Sequence, residues 1–239
     1  MIVRNDGRGV EELREIKITP GIVKNALGSC IYSQGDTKLI CAVSMEENVP
    51  SFLKGKGEGW LTAEYRLLPY SCGNRVYREK LSGRIYEIQR LIGRSLRACI
   101  DLKSLPDKTL WVDCDIIQAD GGTRVSSINA GFVSLVYALD NLRKKGVISS
   151  LPLKNIIGAV SISIWKGNII LDPNYVEDSD AEADFNIVMD SEGNFIEIQG
   201  TAEQKKFSPQ QLDEVFLLAK KSISKIIEIE KKVLSDILL

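Results

Sequence analysis

The feature that most constrains this chain is a repeated order, in which strand pairs closed by tight turns lead each time into a long helix. Residues 13–18 (LREIKI) and 29–45 (SCIYSQGDTKLICAVSM) are rich in β-branched and aromatic residues, and Gln34-Gly35-Asp36-Thr37 predicts a hairpin turn between strands. In residues 83–102, Ile85, Ile88, Leu91, Ile92 and Leu96 recur at helical spacing behind Ser82, a good N-cap. A strand over 110–119, a turn over 119–124 and a second helix over 125–142 follow. The order then returns. One hairpin over Lys166-Gly167 joins 155–165 to 168–170, and another over Ser191-Glu192-Gly193 joins ADFNIVMD to NFIEIQG. A last helix begins after Ser208, with Pro209 at its first position and Gln211 placed to close a capping box. Hairpins feeding helices predict an α+β fold with mixed or antiparallel sheets, not a doubly wound parallel one. The 239 residues read as a single domain with an internal seam near 146–155, around Gly146 and Pro152.

Composition narrows the chemistry. Histidine is absent, which excludes Ser-His-Asp and Cys-His catalysis, histidine bases and mixed Cys/His zinc sites. Cysteines 30, 41, 72, 99 and 114 form no CxxC pair, so they read as isolated thiols of a reducing compartment. The first residues are too polar for a signal peptide, and no apolar run approaches the roughly 18 residues of a membrane span. A cytoplasmic protein with no membrane partner is expected. The net charge of −1 conceals two opposite regions. Residues 66–97 carry eight Lys or Arg against Glu79 and Glu87, whereas 172–203 carry ten acids and no Lys or Arg. An Arg-rich region suits phosphate, and carboxylates without histidine suit a hard divalent cation, Mg²⁺ or Mn²⁺. Together they point to phosphoryl transfer, although charge runs alone also describe two solvated faces.

Three constellations carry that chemistry. Arg84 follows Gly83 at the start of a helix, where unpaired N–H groups favour anions, but its position alone is equally that of a surface charge. Gly121-Gly122-Thr123-Arg124 lies between a strand and a helix. Its amides, hydroxyl and guanidinium suit phosphate, yet a glycine pair there also serves as a plain turn, and the spacing is not that of a P-loop. In Asp178-Ser179-Asp180-Ala181-Glu182-Ala183-Asp184, an extended backbone would put the four acids on one face, poised for a cation or for solvent.

These blocks resemble a known family. GWLTAEYRLLP (59–69), GRIYEIQRLIGRSLRA (83–98), LWVDCDIIQADGGTR (110–124), YVEDSDAEADFNIVM (175–189) and IEIQGTAE (196–203) are similar, in collinear order over nearly the whole chain, to the bacterial RNase PH family. The resemblance implies an α+β fold of two similar βαβ-type halves and a phosphate-dependent 3′→5′ exoribonuclease, or tRNA nucleotidyltransferase. Such an enzyme trims precursor tRNA and other RNA 3′ ends, not DNA, and releases nucleoside diphosphates. It implies a homo-hexamer assembled as a trimer of dimers, with inorganic phosphate as co-substrate and a divalent cation as cofactor. Carried over by position, Arg84, Gly122, Thr123 and Arg124 hold phosphate, Asp178 and Asp184 are the catalytic carboxylates and metal ligands, and Arg75 and Arg78 grip RNA.

The chain departs from the family pattern in three places. The loop between Pro69 and Arg84 is shorter than usual, Tyr70 replaces a customary Arg and is suited to stacking on a base, and Asp180 stands where a small residue is expected. Asp180 is thus a candidate third metal ligand. The alternative within the same fold is a non-catalytic or exosome-type ring subunit that binds RNA. It would have lost the phosphate residues or the aspartates, all of which are present here.

Overall fold

The computed structural model describes residues 3–77 and 82–238. Strands β1 (Ile16–Pro20), β2 (Gly28–Gln34), β3 (Thr37–Glu46), β4 (Trp60–Leu67) and β5 (Thr109–Gln118) form one sheet in the spatial order β1-β2-β3-β5-β4. Gln34 and Thr37 pair across a two-residue turn, and Gly35 takes the positive φ of 57° that such a turn needs. Helix α1 (Gly83–Ala98) crosses from β4 to β5, which run parallel; the other pairs in this sheet are antiparallel. Helix α2 (Thr123–Lys144) follows β5.

The second sheet contains β6 (Ile157–Trp165), β7 (Asn168–Leu171), β8 (Ala183–Asp190) and β9 (Phe195–Ala202), ordered β7-β6-β8-β9 with every neighbouring pair antiparallel. The short helix α3 (Tyr175–Ser179) links β7 to β8, and α4 (Pro209–Val233) and α5 (Ser235–Leu238) end the chain. Strands β7 and β8 point the same way but lie on opposite sides of β6, so this half contains a split βαβ unit where the first half has an adjacent one. No helix among the described residues is long and apolar enough to cross a membrane.

Helix α2 is the centre of the molecule. It is buried without a break from Val125 to Val136 because it lies between the sheets, against β2, β3 and β5 on one side and β6 and β8 on the other. Helix α4 covers the opposite face of the second sheet. One buried polar residue locks the centre. β7 pairs with β6 only from Ile162 to Trp165, so the backbone of Ala159 lacks a strand on that side. Asn129 takes the missing partner's place: its Nδ2 donates to the Ala159 carbonyl at 3.0 Å and its Oδ1 accepts from the Ala159 N–H at 2.8 Å. Cys30, Cys41, Cys99 and Cys114 are buried free thiols, and Cys72 is an exposed one.

The coarse sequence reading needs three corrections. The sequence reading gives no strand at β4, although Leu61, Ala63 and Tyr65 alternate as its buried face. α1 stops at Ala98, short of the expected 102, and Ile100 leaves it to bridge to Leu153. Most important, 178–184 is not extended. Asn174 and Glu177 form a capping box that starts α3, and the strand begins only at Ala183.

The halves are fastened by buried ion pairs from the N-terminal segment. Arg4 grips Glu177 in a bidentate pair, Nε to Oε1 at 2.8 Å and Nη2 to Oε2 at 2.7 Å, and also donates to the carbonyls of Leu171 and Asp172. Both side chains are fully buried. Arg14 donates to Asp172, Nη2 to Oδ1 at 2.6 Å, and its Nη1 donates to the Asp120 carbonyl. Arg4→Met would strip the buried Glu177 of its bidentate partner, leaving it the Asn174 N–H at 3.0 Å and Arg8 at 3.9 Å, and it should lower stability by about 3 kcal/mol. Lys221→Met, which removes the half-exposed 2.7 Å pair with Glu11, should be nearly neutral. Unfolding curves for the two variants check this; equal effects would contradict a special role for the buried pair.

Candidate active site

The site forms where the N-terminus of α2 meets the β7–α3 connection. Gly121 and Gly122 have φ of 72° and 64°, open to glycine and strained for other residues. Gly121 is needed for a second reason: a Cβ there would collide with the Pro173 carbonyl oxygen. The turn is held from below. Thr37, at the β2–β3 hairpin, donates its hydroxyl to the Gly121 carbonyl at 2.7 Å and accepts from the Asp120 N–H at 3.0 Å. Asp120 in turn accepts from the Tyr175 N–H at 3.0 Å, tying the start of α3 to the end of β5. Asp172 holds a left-handed φ of 51° while its carboxylate takes the Arg14 backbone N–H and guanidinium.

A cleft of about 500 Å³ opens beside this turn. Its wall contains Arg84 from α1; Gly122, Thr123 and Arg124 from the start of α2; Tyr175 and Asp178 from α3; and Asp184 from β8. The α2-facing side of the second sheet explains the floor. Ile157, Ala159 and Val188 on that side join the core around α2, whereas the same alternation farther along brings Ser161, Asp184 and Asn186 into the cleft. Thr123 Oγ1 is 2.9 Å from the Tyr65 hydroxyl, whose ring is buried. Arg124 is shared: Nη2 lies 3.4 Å from Glu87 Oε2 and Nη1 lies 4.0 Å from Asp184 Oδ2.

The electrostatics are those of a site with charge still to be matched. Burial pushes the Asp178 carboxyl above its usual range and neighbouring Asp184 adds to this, while Arg124 and Arg84 oppose it. Burial likewise raises Asp184, with Arg124 pulling it down and Glu203 pushing it up. Asp184 Oδ1 and Arg124 Nε are buried without hydrogen-bond partners. An orphaned carboxylate oxygen beside a second carboxylate fits a hard cation, and an orphaned guanidinium N–H fits an anion.

The model for the 3′ exoribonuclease family, domain 1, matches residues 12–139, and that for domain 2 matches residues 155–222. The chain belongs to the RNase PH family. The two matches leave residues 140–154 between them. The chain is 48% identical to "Ribonuclease PH" of Syntrophomonas wolfei over 235 residues, 97% of this chain and 98% of the relative. It is 50% identical to "Ribonuclease PH" of Dehalococcoides mccartyi over 232 residues, 95% and 96% of the two chains. Among solved structures, the Archaeoglobus fulgidus exosome with RNA bound to the active site matches with a TM-score of 0.81 at 22% identity, covering 95% of this chain and 92% of the other. Rice Rrp46 matches with a TM-score of 0.79 at 21% identity, covering 97% and 100%. At such low identity these two show the shared fold alone.

The structure gathers six of the residues singled out by RNase PH resemblance, Arg84, Gly122, Thr123, Arg124, Asp178 and Asp184, around one cleft. It does not bring in Asp180. That residue caps the C-terminal end of α3, and its carboxylate accepts from the Trp165 indole N–H at 2.9 Å. The four acids of 178–184 share no face, because α3 rotates Asp178 away from the strand's alternation; Glu182 instead pairs with Lys205 at 2.6 Å. No cluster of three acids or thiols at metal-ligand spacing forms among the described residues. Arg75 stands exposed on the loop after β4 and does not line the cleft; Arg78 lies outside the described residues. Sequence reasoning missed Ser161, Tyr175, Asn186 and Gln204 as lining residues, and Glu203 as a neighbour of Asp184. Asn186 had a signal, since it sits two places beyond Asp184 on one strand.

Because both aspartates are raised, their ionisation disfavours the fold at neutral pH. Asp178→Asn should therefore raise the melting temperature at pH 7 in chelator. The gain should fade as pH falls below the ordinary carboxylate range, where both folded and unfolded carboxyls are protonated. A variant melting below the wild type at pH 7 would contradict this electrostatic reading.

Proposed function

We propose that the chain is a phosphate-dependent 3′→5′ exoribonuclease that trims 3′ extensions of precursor tRNA and other RNA 3′ ends. The observation that carries this reading is the division of the cleft, with two guanidiniums and a helix N-terminus on one side and two desolvated carboxylates on the other. Arg84, Arg124, the Thr123 hydroxyl and the first amides of α2 hold inorganic phosphate. One of its oxygens attacks the phosphorus of the terminal phosphodiester, and the bond from that phosphorus to the 3′ oxygen of the preceding nucleotide breaks. The phosphate becomes the β-phosphate of the released nucleoside diphosphate, and the freed 3′ oxygen takes up a proton. The nucleophile arrives already anionic, so a chain without histidine needs no base to make one. Positioning and charge complementarity supply the rate.

Asp178 and Asp184 would hold a divalent cation, Mg²⁺ or Mn²⁺, which when bound supplies positive charge to the phosphoryl oxygens. In a second arrangement, with the cation held by Asp178 alone, Asp184 would deliver the proton to the leaving oxygen. The glycine turn fixes the first side and α3 and β8 fix the second, so the two sides stay in register. Relatives near half identity are named as the enzyme, and all six candidate residues are present, which favours the enzyme over the non-catalytic ring subunit. A homo-hexamer built as a trimer of dimers and a cytoplasmic location complete the reading by kinship with the family.

Arg84→Ala should reduce phosphate-dependent nucleotide release by roughly 10²–10³-fold, the usual effect of losing one preorganised donor. RNA affinity measured at fixed salt should change far less, because binding is spread over many phosphates. Equal loss of both would remove Arg84 from the phosphate site. Asp184→Asn should stop turnover while sedimentation still reports six copies; normal turnover would exclude this role for the carboxylate.

A further inference from the structure

Tyr175 is 63% exposed yet lines the cleft, where every other lining residue among those described is Gly, Ala, hydroxylic, amide or charged. It stands three residues before Asp178 on α3, so the two side chains are neighbours on one helix face, about 5–6 Å apart at Cβ. Its backbone is fixed. The N–H donates to Asp120 Oδ1 at 3.0 Å, Asp120 is paired with Arg14 at 3.5 Å, and the Asn174–Glu177 capping box closes the preceding residue. The remainder of the wall is equipped for phosphates and a cation, and it offers no flat apolar surface for a base. An enzyme that removes nucleotides in succession must hold whichever base comes last. An aromatic face does this without reading hydrogen-bond edges, since each base has a π-face. A ring with two side-chain torsions on an anchored backbone also loses little freedom when it stacks.

We propose that Tyr175 is the platform on which the base of the RNA's 3′-terminal nucleotide stacks. The proposal rests on the phosphorolytic reading of the cleft. The adjacency of Tyr175 and Asp178 places the stacked nucleoside directly beside the carboxylate side of the reacting phosphodiester.

The test uses the full-length protein and two oligoribonucleotides that differ only in an ordinary or an abasic 3′-terminal nucleotide. With the ordinary substrate, Tyr175→Ala should raise the KM for RNA by roughly 5- to 150-fold, the range for loss of one stacked base. The KM for phosphate should not move, and Tyr175→Phe should restore the KM for RNA. With the abasic substrate, wild type and Tyr175→Ala should have similar KM values. An unchanged KM for RNA in Tyr175→Ala would overturn the proposal, as would the same loss on both substrates, which would mark the tyrosine as merely structural. Failure of the underlying reading shows separately, as wild-type protein that releases no nucleoside diphosphate. In that event anisotropy binding of the same two RNAs decides the stacking: a Tyr175→Ala defect confined to the ordinary end supports it, and an equal or absent defect overturns it.

Discussion

Everything at the site depends on two buried ion pairs made by an N-terminal segment that is itself far from the chemistry in sequence. Arg4–Glu177 and Arg14–Asp172 take charges out of water, which is costly unless geometry and further hydrogen bonds compensate. Here they do: Glu177 also closes the capping box of α3, and Arg14 also reaches the carbonyls of Asp120 and Gly121. One segment therefore sets the height of the glycine turn, the start of α3 and the end of β7 together. Without that registry Asp178 would not face Arg124, because they belong to different halves joined by a long helix and a seam.

The cleft is a consequence of where the core ends. α2 is apolar over most of its length and buries its flanks against both sheets. At its first turn the sheet facing it changes from Ala159 and Val188 to Ser161, Asp184 and Asn186, and packing gives way to a polar space. The helix N-terminus opens into that space with its amides unpaired. Gly121 permits the chain before α3 to pass close by, and the Thr37 hydroxyl braces the turn from the neighbouring hairpin. The carboxylates are desolvated by the same enclosure, which strengthens their pull on a cation and weakens the competition from water.

Local signals in the sequence were strong wherever one residue type had one cause. Gly35 and Lys166-Gly167 announced hairpins, Ser208-Pro209-Gln211 announced α4, and the apolar spacing of α1 announced its buried face. The phosphate side was legible because a glycine turn, a threonine and an arginine are contiguous. The carboxylate side was only half legible. Alternation over 178–184 puts Asp180 on one face with Asp178 and Asp184, but the Asn174-x-x-Glu177 capping box just before them starts a helix, and Asp180 instead accepts from the Trp165 indole outside the cleft. Ser161 and Asn186 are brought together by the β6–β8 register, which depends on pairing and not on any nearby residues. The ion pairs of Arg4 and Arg14 span more than 150 positions, and no local pattern announces them.

The most direct test is the chemical identity of the released nucleotide. Purified protein is incubated with a 3′-extended tRNA and Mg²⁺, with and without inorganic phosphate, and the products are separated by charge. A cleft with an anion-holding side that presents phosphate as the nucleophile predicts nucleoside diphosphates, and only when phosphate is supplied. Nucleoside monophosphates released without phosphate would mean that water attacks in this cleft, and would contradict the account.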